Sequence, residues 1–476
     1  MKQTILLLLV SVVLLIACKE KPEWVSTTEK HPWQEESNLK FEGTSITADV
    51  EILPDSVLQI IDGFGACFNE LGWTSLKELN ENDRIDIFKE LFSPGVGANF
   101  NLCRMPVGAN DFSRDWYSYD EKEGDYEMKN FTIANDLETL VPFIKEAQKQ
   151  YPGLKIWASP WSPPSWMKWN KHYACHIVYK GMDAKFDNHL APDKQGLEGT
   201  NMFIQDSAYF KAYALYFSKF IDAYKNQGIT ISTIMPQNEF NSCQIFPSCT
   251  WTSAGLTTFV GRYLGPVMDK QNVKIMFGTM ERPTEALVDT ILNDTYAGKY
   301  IQGVGFQWAG KKAIEGIHKR YPGLKLYQSE QECGDGKNDW KYCQYAWTLM
   351  KHYLNNGANA YMYWNLSLLN GGVSRWGWQQ NSLITVDSGR KTFQYNPEYY
   401  LMKHVSHFVK PGARLLQLKG KFANLLAFKN PDESIVIIFQ NEQDTAKSIT
   451  FKIRNKSLIA TTQGSSFNTI LLKKNF

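Results

Sequence analysis

Between residues 59 and 408 the chain alternates between two hydrophobic patterns. Short apolar runs at 59–68, 98–106, 155–160, 230–236, 273–278, 302–307, 324–330 and 360–365 have the near-continuous apolar character of strands buried on both faces. After each of them apolar positions recur every three to four residues, over 76–92, 135–150, 208–226, 255–270, 284–296, 312–320, 340–355 and 397–408, which is helical spacing. Breakers close several of these helices, among them Tyr151-Pro-Gly153, Asn226-Gln-Gly228, Tyr321-Pro-Gly323 and Asn355-Asn-Gly357. Eight strands, each followed by a helix, predict an α/β fold: a (β/α)8 TIM barrel over 61–408. The competing open sheet would carry a glycine-rich phosphate loop after its first strand. Gly63-Phe-Gly65 lacks the third glycine and the strand-turn-helix setting.

Beyond residue 411 the period drops to two. Runs at 415–418, 422–428, 435–441, 448–453, 459–462 and 469–472 predict short strands separated by turns such as Asn430-Pro-Asp-Glu433. Their inner face needs a partner, and residues 41–60, with Ile46, Ala48, Val50 and Ile52 in alternation, can supply it. The expectation is a discontinuous side β-sandwich built from 41–60 and 409–476. Residues 18–40 are charged, proline-containing and aperiodic, and are expected to form a tether. Residues 161–205 make too long a connection for an ordinary loop of this fold and are expected to form a lip beside the cleft.

The N-terminus carries an address. Lys2, the apolar run 5–16 and Leu15-Ile-Ala-Cys18 resemble a bacterial lipoprotein signal, with a signal peptide over 1–17 and lipid on Cys18. The resemblance implies export and an N-terminal lipid anchor in the outer membrane. Lys19-Glu-Lys-Pro-Glu23 partly resembles the export tag of surface lipoproteins. A net charge of +2 offers no basic face for nucleic acid. Seven cysteines remain after Cys18, too few for a disulfide framework; Cys243 and Cys249 are the pair close enough for a loop disulfide, and Cys67, Cys103 and Cys333 suit small buried fillers. His172-Tyr-Ala-Cys-His176 has no second cluster at metal-site spacing, so neither metal nor organic cofactor is expected.

The chemistry lies at two strand ends. The run 229–235 stops on Asn238-Glu239, and the run from 324 stops on Glu330, which ends the seventh strand. In a barrel both carboxylates face the catalytic mouth. Two opposed carboxylates are what glycosidic bond cleavage requires, one to protonate the leaving oxygen and one to attack or to activate water. Each acid alone could be a structural ion pair; both together, with an amide beside one, favour chemistry. Glu332 competes with Glu330, because pleat alternation puts both on one side if the strand continues. The 15 Trp, 23 Tyr and 27 Phe suit either a large aromatic core or platforms for sugar rings.

Asp62-Gly-Phe-Gly65, Arg104-Met-Pro106, Asp111-Phe-Ser113, Ala158-Ser-Pro-Trp-Ser162, Gln237-Asn-Glu239, Ser329-Glu330 and Tyr363-Trp-Asn365, in that order, resemble glycoside hydrolase family 30. The resemblance runs from about residue 41 to the C-terminus. It implies a retaining mechanism with Glu239 as acid/base and Glu330, an acid directly after Ser, as nucleophile. It further implies Arg104 as the nucleophile's partner, Asp111 gripping sugar hydroxyls, Asn238 on the 2-hydroxyl, and Trp161, Trp364 and Trp308 as aromatic walls. Three positions depart from the family: Gln307-Trp308-Ala309 stands where glucosylceramidases have His-Trp-Tyr, changing 307 and 309, and Phe240 replaces the proline common after the acid/base. The expected substrate is therefore a β-glucan, β-1,6-glucan first, with a glucosylceramide-type β-glucoside or a β-xyloside as alternatives. A surface protein that captures glycans without cleaving them is the alternative of another class.

Overall fold

The computed structural model describes residues 21–43 and 47–474. The expected signal peptide and Cys18 lie outside the described residues. Eight strands close a parallel barrel: β1 Gly63–Cys67, β2 Leu102–Pro106, β3 Lys155–Ser159, β4 Ile231–Ile234, β5 Lys274–Met280, β6 Ile301–Gln307, β7 Lys325–Glu330 and β8 Ala360–Asn365. Each pairs with its neighbours in chain order, and β8 returns to β1. The interior is filled by Leu102, Trp157, Met235, Met276, Tyr327, Ala360 and Met362, a packed core rather than a pore. β1 lies so close to β2 that a Cβ on Gly65 would fall 2.0 Å from the Leu102 carbonyl oxygen, which explains the glycine there. Asp62 works at the opposite end from the chemistry: it accepts from Lys325 Nζ at 2.5 Å and Tyr327 OH at 2.8 Å.

Within the barrel chain three elements differ from the sequence reading. The run 59–68 splits at Asp62, because Val50–Ile60 belongs to the side sheet and only Gly63–Cys67 to the barrel. The helix expected over 76–92 is two helices, Glu70–Lys77 and Glu81–Phe92, the second started by Asn80, whose Oδ1 accepts the Asp83 N–H at 3.0 Å. After β8 the chain builds an unforeseen three-stranded sheet of Ser367–Leu369, Ile384–Asp387 and Thr392–Tyr395 before the helix Pro397–Ser406.

The side domain is one ten-stranded sheet that folds over on itself. Arg414–Gly420 pairs with Val50–Ile60 through register shifts, which bend a strand pair. The fold-over brings Phe439 and Phe451 to 5.0 Å between ring centroids although their strands are not hydrogen-bonded neighbours. The expected tether over 18–40 is corrected for its described part. Glu23–Thr28 pairs antiparallel with Ser466–Leu472, Gln34–Glu35 extends that edge, and Lys40–Glu42 closes the other. Trp24 is buried in the sandwich core with its Nε1 on Asn468 Oδ1 at 3.2 Å. His404, on the last barrel helix, bonds both Thr27 at 2.9 Å and Thr469 at 2.8 Å, joining this segment to the barrel. Among the described residues no helix is long and apolar enough to cross a membrane.

Candidate active site

Arg104, fully buried on β2, organises one side of the barrel mouth. Its Nη1 donates to Glu330 Oε2 at 2.7 Å and its Nη2 to Asn238 Oδ1 at 2.7 Å, while Nη2 also bonds Ser159 Oγ at 2.8 Å. The guanidinium lies 4.4 Å from the Trp161 ring centroid and 5.4 Å from that of Trp364, which stack on each other at 5.2 Å. Its charge thus sits between aromatic faces and one carboxylate. Burial raises the pKa of Glu330, and the Arg104 charge and hydrogen bond oppose that rise. Glu332 is elsewhere: it is not among the residues lining the cavity, its Oε1 is 2.5 Å from Lys311 Nζ, and its Oε2 accepts from Tyr345 OH at 2.8 Å. The strand stops at Glu330, so the alternation that would have aligned the two acids is broken.

Glu239 faces Glu330 across the mouth with a different environment. Its backbone is in the left-handed region at φ 47°, as is that of Trp308 at φ 48°, a strained placement for non-glycine residues that the surroundings must hold. Thr279, in β5, accepts the Glu239 N–H at 2.9 Å and donates to Asn238 Oδ1 at 3.0 Å, which pins the pair. Among the described residues no cation pairs with the Glu239 carboxyl. Burial, then the charges of Glu330 and Glu281, push its pKa well above the usual carboxylate range.

Gln307 joins the two acids. Its Nε2 donates to Glu239 Oε1 at 3.0 Å and Glu330 Oε2 at 3.1 Å and lies 3.2 Å from Asn238 Oδ1, while its Oε1 accepts from Ser329 Oγ at 2.9 Å. Two oxygens bonded to one nitrogen lie no more than about 6 Å apart, the sum of the two bonds. The departure at 307, read from sequence as the loss of an imidazole, is thus a bridge between the carboxylates.

Above them opens a cavity of about 310 Å³, lined by Asp111, Trp161, Asn238, Glu239, Trp308 and Glu330 from the sequence reading. Asp111 brings a buried Oδ1 with no protein partner, and burial, then the Glu330 charge, raise its pKa well above normal. A hydroxyl donor would satisfy that oxygen. Trp364 does not line the cavity; it is fully buried behind Trp161 and Arg104 and acts as a backing wall. Ser242, Gln244 and Phe246, on the chain just after Glu239, and Ala309, beside Trp308, complete the anticipated part of the lining; Glu281, Arg282, Trp378 and Gln380 were not anticipated. Glu281 had a signal, for it ends the apolar run of β5 as Glu239 and Glu330 end theirs.

The lip 161–205 is tied to the loop after Glu239 by Lys168, whose buried Nζ donates to the Tyr173 and Ser248 carbonyls at 2.7 Å each. Cys243 and Cys249 are not bonded to each other; the seven described cysteines are all free thiols, and Cys175 on the lip donates its thiol to the Ser248 carbonyl at 3.2 Å. Cys67, Cys103 and Cys333 are buried, as small fillers are. His172 and His176 serve the lip itself, through the Ala174 N–H at 2.9 Å and the Ile177 carbonyl at 2.5 Å.

Residues 61–409 match the TIM-barrel domain of glycosyl hydrolase family 30, and residues 421–470 match that family's β-sandwich domain. The chain belongs to glycosyl hydrolase family 30. This member of the family is 29% identical to putative glucosylceramidase 1 of Caenorhabditis elegans, over 81% of this chain and 74% of the relative. It is 27% identical to the endo-1,6-beta-D-glucanase neg1 of Aspergillus fumigatus, over 84% and 82% of the two chains. In fold it resembles the endo-beta1,6-glucanase BT3312, with a TM-score of 0.79 at 23% identity, covering 95% of this chain and 100% of that one. The family is one of hydrolases, and the cavity brings the two buried carboxylates Glu239 and Glu330 onto one shared donor.

Proposed function

We propose that this protein is a retaining β-glycosidase that hydrolyses β-glucosidic bonds by double displacement, with Glu330 as nucleophile and Glu239 as acid/base. The observation that carries the reading is the shared donor, Gln307 Nε2. It limits the bonded carboxylate oxygens to about 6 Å, below the roughly 6.5–9.5 Å that an intervening water requires and close to the roughly 5–5.5 Å of retaining enzymes. Arg104 favours the ionised form of Glu330, which attacks the anomeric carbon. Glu239, uncompensated and repelled by Glu330, holds the proton that the leaving oxygen takes. Once Glu330 is an ester its charge is gone, the repulsion ends, and Glu239 becomes the base that activates water for the second step. Asp111 and Asn238 supply hydrogen bonds to the bound sugar, and Trp161 and Trp308 supply its apolar faces.

A β-glucan, and a β-1,6-glucan first, is the substrate we favour, in line with the glucanase relatives and with the absence of the His-Trp-Tyr pattern at 307–309. A glucosylceramide-type glucoside is the second reading, favoured by the nematode relatives. A capture protein gains nothing from two desolvated, mutually repelling carboxylates. Incubating the mature protein with β-1,6-glucan, β-1,3-glucan, xylan, aryl β-glucosides, aryl β-xylosides and glucosylceramide, with the anomer followed by NMR, tests the reading. Retained β-products from a glucan are expected; inverted products would remove the double displacement, and binding without turnover would favour capture. We further propose export with a lipid on Cys18, on the strength of Leu15-Ile-Ala-Cys18. Mass spectrometry of the N-terminal peptide from the membrane fraction would carry the acyl mass, and an unmodified Cys18 would refute it.

A further inference from the structure

A fourth carboxylate in the cavity, beside Glu239, Glu330 and Asp111, has no part in the double displacement. Glu281 directly follows β5 and is 1% exposed. Its Oε1 accepts the Asn241 N–H at 2.9 Å and the Ser242 hydroxyl at 3.1 Å, so one oxygen holds the chain just beyond the acid/base. Its Oε2 is buried without a partner, although the residue lines the cavity. Arg282 does not answer it: Nη1 stays 3.8 Å from Oε1, and Nη2 is taken by Glu198 of the lip at 2.5 Å. A carboxylate needed only to hold the loop would leave its second oxygen in water; burying it bare costs stability unless a ligand supplies the donor.

The surroundings indicate which ligand. Ser242, Gln244 and Phe246, on the chain just after the acid, and Arg282, next to Glu281, line the same cavity, and the acid is where the leaving oxygen must sit. At the rim Phe246 and the half-buried Trp378 meet edge to face at 5.9 Å, offering an apolar surface beside these polar groups. One unpartnered carboxyl oxygen, polar neighbours and an aromatic face suit a neutral, hydroxyl-rich ring.

We propose that Glu281 determines specificity on the leaving-group side by accepting a hydroxyl of the departing sugar, so that the preferred substrates have a saccharide rather than an apolar aglycone as leaving group. This rests on the reading of Glu239 as the acid. The test compares Glu281→Gln with wild type on β-1,6-linked glucose oligosaccharides and on 4-nitrophenyl β-glucoside, whose leaving group has no sugar hydroxyl. Loss of the Oε2 acceptor should lower kcat/KM on the oligosaccharide about 10-fold more than on the aryl glucoside. The substituted amide retains an oxygen for Asn241 and Ser242, and a thermal melt checks that the fold survives. An oligosaccharide deoxygenated at single positions of the leaving ring should lose activity with wild type at one position, with little further loss in the variant. Equal losses on both substrates would overturn the assignment, and so would a larger oligosaccharide loss with no deoxygenated position that matters to the wild type, since that would leave Glu281 acting only through Glu239. Failure of the wild type to cleave either substrate would instead refute the glycosidase reading beneath it.

Discussion

Replacing Gln307 by Met removes the one donor shared by both carboxylates while keeping an unbranched chain of similar length. A hydrogen bond to a charged group contributes about 1.5–3 kcal/mol, and one pKa unit corresponds to about 1.4 kcal/mol, so each bond lost can raise a carboxyl pKa by roughly 1–2 units. The two acids will not respond equally. Glu330 keeps the Arg104 bond at 2.7 Å, so its rise should lie at the lower end. Glu239 has Gln307 at 3.0 Å as the side-chain donor to its carboxyl, and its rise should lie at the upper end. Because the donor favours both ionised forms, removing it moves both values upward. The acid limb of kcat/KM, which needs Glu330 ionised, moves to higher pH by about 1 unit; the alkaline limb, which needs Glu239 protonated, moves up by about 2. The profile becomes broader and more alkaline, its limbs being those of the coupled pair. The assay is kcat/KM on an aryl β-glucoside across pH, with a thermal melt to follow the acceptor lost to Ser329 Oγ. A lower plateau with both limbs unmoved would refute the argument, since it would make Gln307 a spacer only; limbs moving in opposite directions would refute the pairing itself.

Glu330→Gln should lower kcat on the order of 10⁴-fold or more while calorimetry finds oligosaccharide binding intact; Glu332→Gln should lose little activity, because its partners are Lys311 and Tyr345 outside the cavity, and the reverse ranking would exchange their roles. Glu239→Ala should cost about 10²–10⁴-fold on oligosaccharides but far less on aryl glucosides with good leaving groups, and equal losses would remove it from the acid role. Trp24→Ala should destabilise the protein by about 3–5 kcal/mol in urea unfolding, the cost of emptying a buried aromatic site; a change below about 0.5 kcal/mol would mean that residues 23–28 behave as a surface tether after all.

Much of this architecture was legible in the chain, and the exceptions share a cause. The barrel strands announce themselves because a strand buried on both faces has a local signature, and Glu239 and Glu330 stand out as charges that end such runs. Glu23–Thr28 has no comparable signature: it becomes a strand because Ser466–Leu472, more than four hundred residues on, offers it an edge. Cleft residues such as Trp378 and Gln380 were hidden in the same way, on a loop placed by a small sheet whose pairing is not written locally. Glu281 was missed although its signature matched the other two acids, because the β5 run was closed at Gly278, two residues early. A local pattern can therefore locate charges at the barrel mouth but cannot rank them. Ranking depends on which acid receives the guanidinium and which receives only an amide. Arg104 comes from β2 and Gln307 from β6, so that decision exists only once the barrel closes. The same closure explains why the change at 307 looked like a deficit in sequence: in a line of residues an amide replaces an imidazole, whereas in the barrel its nitrogen is the point from which both acids are held.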